Sequence, residues 1–439
     1  MNIHFVGIGG IGMSALAQYF HAWGAQVSGS DIARSEITEM LRKRGIAIRI
    51  GHKKTNVPKS AALVIHTFAA KKDNPELREA KRRGIAAKTY AEAVGDLTKR
   101  FFTIAIAGAH GKSTTTALVS LMLTRGGLDP TVIIGTKLRE FGNTNFRAGK
   151  SRYLIVEADE YGGSFLQHCP NIAVVTNIDR EHLDYYKNFA NVKTAFLKFL
   201  LGIKKGGVVV INRDDPNLKK IAGIVPKKRP DIFMSWYSLK DRQAPAIKKM
   251  MQVPGAHNVS NALGAWRVGK IIGVKEVVMK KVLRNYRGSW RRSEYRGNFQ
   301  GIRIYDDYGH HPTEIKATLR GFKEKFYGKR VWCIFQPHQI ERTRLLLKDF
   351  AGAFGDAHGV ALLDIYQVAG REGKNIKATT RVAKVTKELA EKLQKQHSRV
   401  WYLGSHTKIA GFLKTNAKRG DIAILMGAGD IWKNTKKLI

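Results

Sequence analysis

The sequence predicts an α/β protein of three domains, each built on a mainly parallel sheet covered by helices. Three observations predict it. A length of 439 residues holds more than one hydrophobic core at roughly 100 to 200 residues per domain. Short, apolar, β-rich runs alternate with amphipathic helical stretches in three successive series. The first two series each open with a strand that runs into a glycine-rich turn and then a helix.

The first series, 1–98, opens at IHFVG (3–7), passes through a helix expected over 13–23 and continues at AALVIH (61–66). The second, 99–287, carries FFTIAIAG (101–108), a helix over 117–123, YLIVEAD (153–159), NIAVVTNID (171–179) and GVVVIN (207–212). Its segment 217–253 is polar, with few clear strands. The third, 288–439, carries IRIYDDY (302–308), VWCIF (331–335), GVALLDIY (359–366), VWYLG (400–404) and IAILMGAG (422–429). The runs are short and mainly apolar, as strands of parallel sheets covered by helices are.

Hydrophobic residues at 44% and charged residues at 25% fit a globular protein and exclude disorder, collagen and coiled coil as the main class. No run approaches the ~18 apolar residues of a membrane span, and no basic leader precedes Ile3, so a cytoplasmic protein without a membrane partner is expected. Cys169 and Cys333 have neither the number nor the spacing of a disulfide framework or zinc site. Charge is the unusual feature: 76 Lys and Arg against 35 Asp and Glu give +41. The basic residues are scattered as pairs along the chain. That pattern fits compositional drift, or attraction of phosphorylated small molecules, better than a nucleic-acid surface.

GIGGIG (7–12) satisfies G-x-G-x-x-G between a strand and a helix, with Asp31 19 residues beyond Gly12. Small residues there let the backbone approach a diphosphate at a helix N-terminus, so the first domain is expected to be Rossmann-like. Alone, the motif fits NAD, another diphosphate nucleotide or a tight turn without ligand. GAHGKSTTT (108–116) follows the next series' first strand. Backbone N–H groups around Gly108 to Gly111 can cradle phosphates, Lys112 can reach the β- and γ-phosphates, and Ser113 can hold Mg²⁺. The loop is two residues shorter than G-x-x-x-x-G-K-[ST], but a central domain of P-loop ATPase type is expected.

EADE (157–160) and NIDREHLD (177–184) also end strands, and in an open parallel sheet such ends converge on one edge. Glu157 and His182 can complete a Mg²⁺ shell there. In PGAHNVSNALGAW (254–266), Asn258 and Asn261 share a helix face and suit a nucleobase edge. DDYGHHPTEI (306–315) places Pro312 near a helix start and acids near a ribose, and Arg291-Arg292 suits a transferring phosphoryl group.

In this order the motifs resemble the Mur ligases, the ATP-dependent amide-forming enzymes of peptidoglycan precursor synthesis. The similarity runs from IHFVGIGGIGMS to MGAGDIW (426–432) and includes GxHGK[ST]TTT, EADExxxSFL, VVTNIxxxHLD, PGxHNxxNA, RRxE, DDYGHHPTEI and FQPHxxxRT (335–343). The resemblance implies a ligase that joins L-alanine to the lactyl carboxylate of UDP-N-acetylmuramate through an acyl phosphate, as a monomer or weak homodimer. Glu314 and His338 favour that branch over the one that attaches a recycled tripeptide. Phe196 stands where several other branches carry a carbamylated lysine.

The resemblance also assigns residues. The first loop would hold UDP-sugar instead of NAD, with Gly9, Gly10, Ile11, Gly12, Met13, Ser30 and Asp31. Gly108, His110, Gly111, Lys112, Ser113 and Thr114 would bind ATP phosphates. Ser113, Glu157 and His182 would serve Mg²⁺. Asn258 and Asn261 would lie by the nucleotide, Arg292 by the γ-phosphate and Asp307 by the ribose. Lys112, Glu157, His182 and Arg292 would be the catalytic set, and His310, His311, His338 and Arg342 would face the amino acid and substrate. The third domain would then be Rossmann-like and bring the amino acid to ATP.

The chain departs from the resembled pattern in places. It reads GAHGKS where GTHGKT is more usual, Tyr161-Gly162 where a Ser-Asp pair is usual, and Ser293 where an aromatic is common. The stretch 236–253 looks abbreviated. Three competing readings remain: a Mur-type ligase for another amino acid, an NAD-dependent oxidoreductase, which leaves GAHGKSTTT idle, and a nucleic-acid-binding ATPase, which leaves the EADE, HLD and HHPTE set idle.

Overall fold

The computed structural model describes residues 1–367 and 377–439. The described residues form three mixed α/β layers around three sheets, as the sequence predicts. The first is five-stranded and parallel, in the order Ala47–Ile50, Gln26–Asp31, Asn2–Val6, Leu63–His66, Ala86–Thr89. The glycine turn leaves the C-terminal end of the central strand Asn2–Val6 and enters the helix Ile11–Ala22. That is the point where the strand order reverses, and ligands of open α/β sheets bind there.

The second sheet has seven strands in the order Phe233–Tyr237, Val208–Asn212, Ile172–Val175, Phe102–Ala107, Tyr153–Glu157, Thr131–Leu138, Thr144–Arg147. Only the last pair is antiparallel. Phe102–Ala107 lies at its centre and feeds the phosphate loop. The helix after that loop runs over Lys112–Arg125, longer than the expected 117–123, because Lys112 to Thr116 themselves form its first turns and Thr116 Oγ1 bonds back to the Lys112 carbonyl. The uncertain segment 217–253 holds the helices Pro216–Ala222, Val225–Lys228 and Ala244–Met250, and one strand, Phe233–Tyr237, which closes the sheet's edge.

These two sheets lie in one compact unit, Met1–Met250 with Val259–Asn285. Tyr19 packs edge-on to both Phe101 and Phe146, and the Gln18 amide donates to Asn145. Apolar side chains from Ile3 to Ile232 form one continuous cluster beneath the loops. Phe196 sits fully buried in it, stacked edge-on to Phe165.

The second unit, Met251–Asn258 with Tyr286–Ile439, holds a six-stranded sheet. Its order is Glu294–Phe299, Ile302–Asp307, Ile422–Met426, Val331–Phe335, Gly359–Leu363, Val400–Gly404, parallel except for the first pair. Apolar clusters line its two faces, one around Phe322, Phe335 and Phe354, the other around Trp332, Leu363 and Phe412.

Candidate active site

At the first loop, the Gly9 N–H donates to Asp31 Oδ2 at 2.8 Å, so Asp31 braces the glycine turn from the end of its strand. A Cβ on Gly9 would lie 2.8 Å from that oxygen, which is why the position is glycine. Gly10 precedes the helix as its N-cap without a side-chain cap, leaving Ile11, Gly12 and Met13 in the first turn, with Met13 buried. Ser30 also faces inward: its carbonyl accepts from Gly7 and Ile8, and its hydroxyl donates to buried Glu76 at 2.7 Å. Glu76 in turn accepts from His4, His52 and Asn56. Sequence reading missed this knot, since its members are separated by up to 72 positions.

The phosphate loop is built from the strand ends around it. The Gly108–Gly111 turn is held by Thr176 and Asn177 of the neighbouring strand end: Asn177 Oδ1 accepts from the His110 N–H at 2.9 Å and Thr176 donates to the His110 carbonyl at 2.6 Å. The His110 ring lies 2.9 Å from Asp179. Gly111 has φ +84, and a Cβ there would overlap the Asn261 carboxamide, so Asn261 lies directly against the loop. Asn258, in the second unit, donates its amide to the Pro254 carbonyl at 2.7 Å as the third residue of the helix Ala256–Ile272.

Lys112 Nζ donates to the Gly108 carbonyl and to Glu160 Oε2, both at 2.7 Å. Burial alone would lower the lysine pKa, but the carboxylates of Glu160 and Asp159 raise it, so the ammonium stays charged. Burial pushes the Glu160 carboxyl up to about 7, opposed by Lys112. Ser113 donates to Glu157 Oε1 at 3.0 Å, while Glu157 Oε2 takes the Gly135 N–H at 2.8 Å. Thr114 is buried one residue further on.

His182, at φ +56, lies with Nε2 3.6 Å from Glu160 Oε1. Glu160 Oε1 is buried and has no hydrogen-bond partner. One ligand atom from each of Asp159, Glu160 and His182 falls within 4.8 Å of the others. A buried carboxylate oxygen lacking a donor, beside further carboxylates, a hydroxyl and an imidazole, fits a hard divalent cation such as Mg²⁺. Ser113 and Glu157 are thus brought together, whereas His182 meets Glu160, the last acid of EADE, which sequence reading passed over.

In the second unit, Arg291 and Ser293 both take left-handed backbone angles, φ +57 and +49, around Arg292. The Arg292 guanidinium lies 4.9 Å over the Tyr308 ring and 3.4 Å from Glu314. Arg291 is buried 3.6 Å from Asp306, whose carboxyl burial raises to about 7 against that guanidinium. The Asp307 carboxylate accepts from Ser293 N at 2.7 Å and Gly309 N at 2.8 Å, which shapes the turn. Pro312 starts the helix Pro312–Lys325, with His311 as N-cap and Glu314 completing a capping box. The His310 N–H donates to Glu314 at 3.0 Å. His338 stacks on Tyr366 with centroids 5.7 Å apart, and the His310 ring lies edge-on to His338 at 5.8 Å. Arg342 is half-buried in the helix Ile340–Leu345.

Three family descriptions match the chain: "Mur ligase family, catalytic domain" over residues 2–102, "Mur ligase middle domain" over 106–269, and "Mur ligase, glutamate ligase domain" over 291–429. A UDP-N-acetylmuramate--L-alanine ligase of Acetivibrio thermocellus is 41% identical, over 98% of this chain and 94% of its own length. One from Desulfosudis oleivorans is 39% identical, over 98% and 96%. Among solved structures, the UDP-N-acetylmuramate-alanine ligase of Thermotoga maritima superposes with a TM-score of 0.79 at 27% identity, covering 100% of this chain and 98% of that one. A murein peptide ligase from Psychrobacter arcticus shares the fold, with a TM-score of 0.71 at 21% identity over 100% and 98%.

Proposed function

The chain belongs to the Mur ligase family, and from that premise we propose how its residues divide the work. It is an ATP-dependent ligase that joins L-alanine to UDP-N-acetylmuramate in peptidoglycan precursor synthesis. The observation that carries the assignment of roles is the phosphate loop: Lys112 clamped between Gly108 and Glu160, with Ser113 on Glu157 beside it.

The lactyl carboxylate attacks the γ-phosphorus of ATP and ADP leaves. The alanine amine then attacks the resulting acyl phosphate, loses a proton, and inorganic phosphate departs from the tetrahedral intermediate. Such transfers need positioning and charge neutralisation more than covalent help. The Gly108–Gly111 amides and the Lys112 ammonium bind the phosphates, and in the second unit Arg292 carries charge for the transferring group. Bound Mg²⁺ supplies further positive charge to the phosphate oxygens, and Ser113, Glu157 and His182 are the residues we assign to hold it. Asn258, Asn261 and Asp307 are assigned to the nucleoside. Gly9 to Met13, braced by Ser30 and Asp31, take the UDP diphosphate. His310, His311, His338 and Arg342 take the amino-acid side.

The domain limits we adopt are 1–98, 99–287 and 288–439. No helix among the described residues is long and apolar enough to cross a membrane. We place the reaction in the cytoplasm, by a monomer or weak homodimer. The test is phosphate release from ATP with UDP-N-acetylmuramate and, separately, L-alanine, glycine, L-serine or the tripeptide, with product masses. Release that needs both the UDP-sugar and L-alanine is expected. Release with the tripeptide alone moves the chain to the recycling branch.

A further inference from the structure

We propose that Phe68, Tyr161 and Tyr185 form an aromatic platform for the N-acetylated pyranose of the sugar nucleotide, an inference that rests on the substrate assigned above. Large aromatic side chains are normally withdrawn from water, and an exposed cluster marks a binding surface. Here Phe68 is 56% and Tyr185 42% exposed, while Tyr161 is half-buried beside them. Their ring centroids are 5.7 Å apart for Phe68 and Tyr161, 6.3 Å for Phe68 and Tyr185, and 6.4 Å for Tyr161 and Tyr185. The contacts of Phe68 are edge-to-face, the preferred aromatic geometry.

The backbone is arranged to allow this cluster. Gly162 and Gly163 stand in succession at φ +63 and +71, breaking the short turn Tyr161–Gln167. A Cβ on Gly162 would come within 3.3 Å of the Phe68 ring, and one on Gly163 within 3.3 Å of the Tyr185 hydroxyl. Tyr186, next to Tyr185, anchors the segment by donating its hydroxyl to the Glu160 carbonyl.

Location identifies the ligand. Phe68 follows Thr67, whose side chain would overlap a Cβ on Gly7, at the start of the diphosphate turn. At the other end, Tyr161 lies 4.8 Å from the His182 ring, and His182 adjoins Glu160, the partner of Lys112. The three rings therefore span from the turn that takes the UDP diphosphate to the loop where the carboxylate is phosphorylated. In UDP-N-acetylmuramate the group between those two ends is the sugar ring. Its axial C–H face and acetyl methyl are apolar and pack on aromatic surface.

The experiment is equilibrium binding of UDP-N-acetylmuramate and of UDP alone to the full chain, for wild type, Phe68→Ala, Tyr161→Ala and Tyr161→Phe. Each alanine variant is expected to weaken the sugar nucleotide about tenfold and UDP by less than about twofold, with Tyr161→Phe close to wild type. Phe68 is exposed, so its removal leaves the fold in place and keeps the test open if Tyr161→Ala unfolds. Equal weakening of UDP and the sugar nucleotide would place the rings on the nucleotide and overturn the proposal, as would alanine variants that bind like wild type. Binding is measured without turnover, so a failure of the L-alanine reaction shows separately, in the absence of phosphate release.

Discussion

Lys112 Nζ lies 2.7 Å from Glu160 Oε2, and both side chains are withdrawn from water. A buried charge is tolerable only with a partner and satisfied hydrogen bonds. The ammonium has both, through Glu160 and the Gly108 carbonyl. This pair fixes the lysine over the phosphate loop, so the side chain needs little rearrangement to meet a phosphate.

Removing the lysine is therefore expected to be severe. Lys112→Ala takes one preorganised cation from the transferring phosphoryl group and leaves Glu160 buried without its partner. Turnover should fall by on the order of 10²-fold or more. The measurement is kcat from phosphate release under saturating substrates, and a rate within a few-fold of wild type would displace the phosphate site from this loop.

Glu157 offers a different readout. It joins Ser113 Oγ to the Gly135 N–H, so it fixes the hydroxyl that we assign to Mg²⁺, and we assign its own carboxylate to the same ion. Glu157→Gln keeps the shape and removes the charge. The Mg²⁺ concentration for half-maximal rate should rise by at least about tenfold. An unchanged Mg²⁺ titration with a reduced rate would remove Glu157 from the cation site.

Beneath the first loop, Glu76 predicts a loss of stability. Burial alone would raise its pKa, but hydrogen bonds from His4, His52, Ser30 and Asn56 hold the carboxyl far below its usual range. Because the folded pKa is depressed, this stabilisation is present above the unfolded pKa near 4.5 and is lost as pH falls below it. Glu76→Gln leaves donors facing donors in a buried site and should cost about 3 kcal/mol at neutral pH. Urea unfolding at pH 7 and pH 4 checks both the size and the direction, the difference between the proteins shrinking at the lower pH.

What could be read from the sequence follows from burial. Central strands covered on both faces, such as Phe102–Ala107 and Ile172–Val175, are apolar without a break and announce themselves. Gln26–Asp31, reading QVSGSD, and Ala86–Thr89, reading AAKT, carry no such signal, and pairing with their neighbours makes them strands. Lys112, Ser113 and Glu157 were legible because their spacing is local to strand ends. Glu160 was not, because its part depends on the turn that buries it and on Tyr186 from another segment. Glu76 was hidden for the same reason, with His4 72 positions away.

His168 gives a further pH test. The ring is buried, and neither nitrogen has a hydrogen-bond partner. Burial drives its pKa down from 6.5 to about 4, with Asp159 opposing weakly. The unfolded chain takes up this proton first, at pH near 6.5, while the folded protein resists until about 4. The neutral ring's contribution is therefore complete above pH 6.5 and drains away as pH falls through 4, by about 3 kcal/mol in all. His168→Leu abolishes the uptake. Carboxylates titrate in the same window in both proteins, so the wild-type curve of unfolding free energy should fall more steeply than the variant's between pH 6.5 and 4. Parallel curves would mean that His168 finds a proton acceptor in solution and is charged in the folded state.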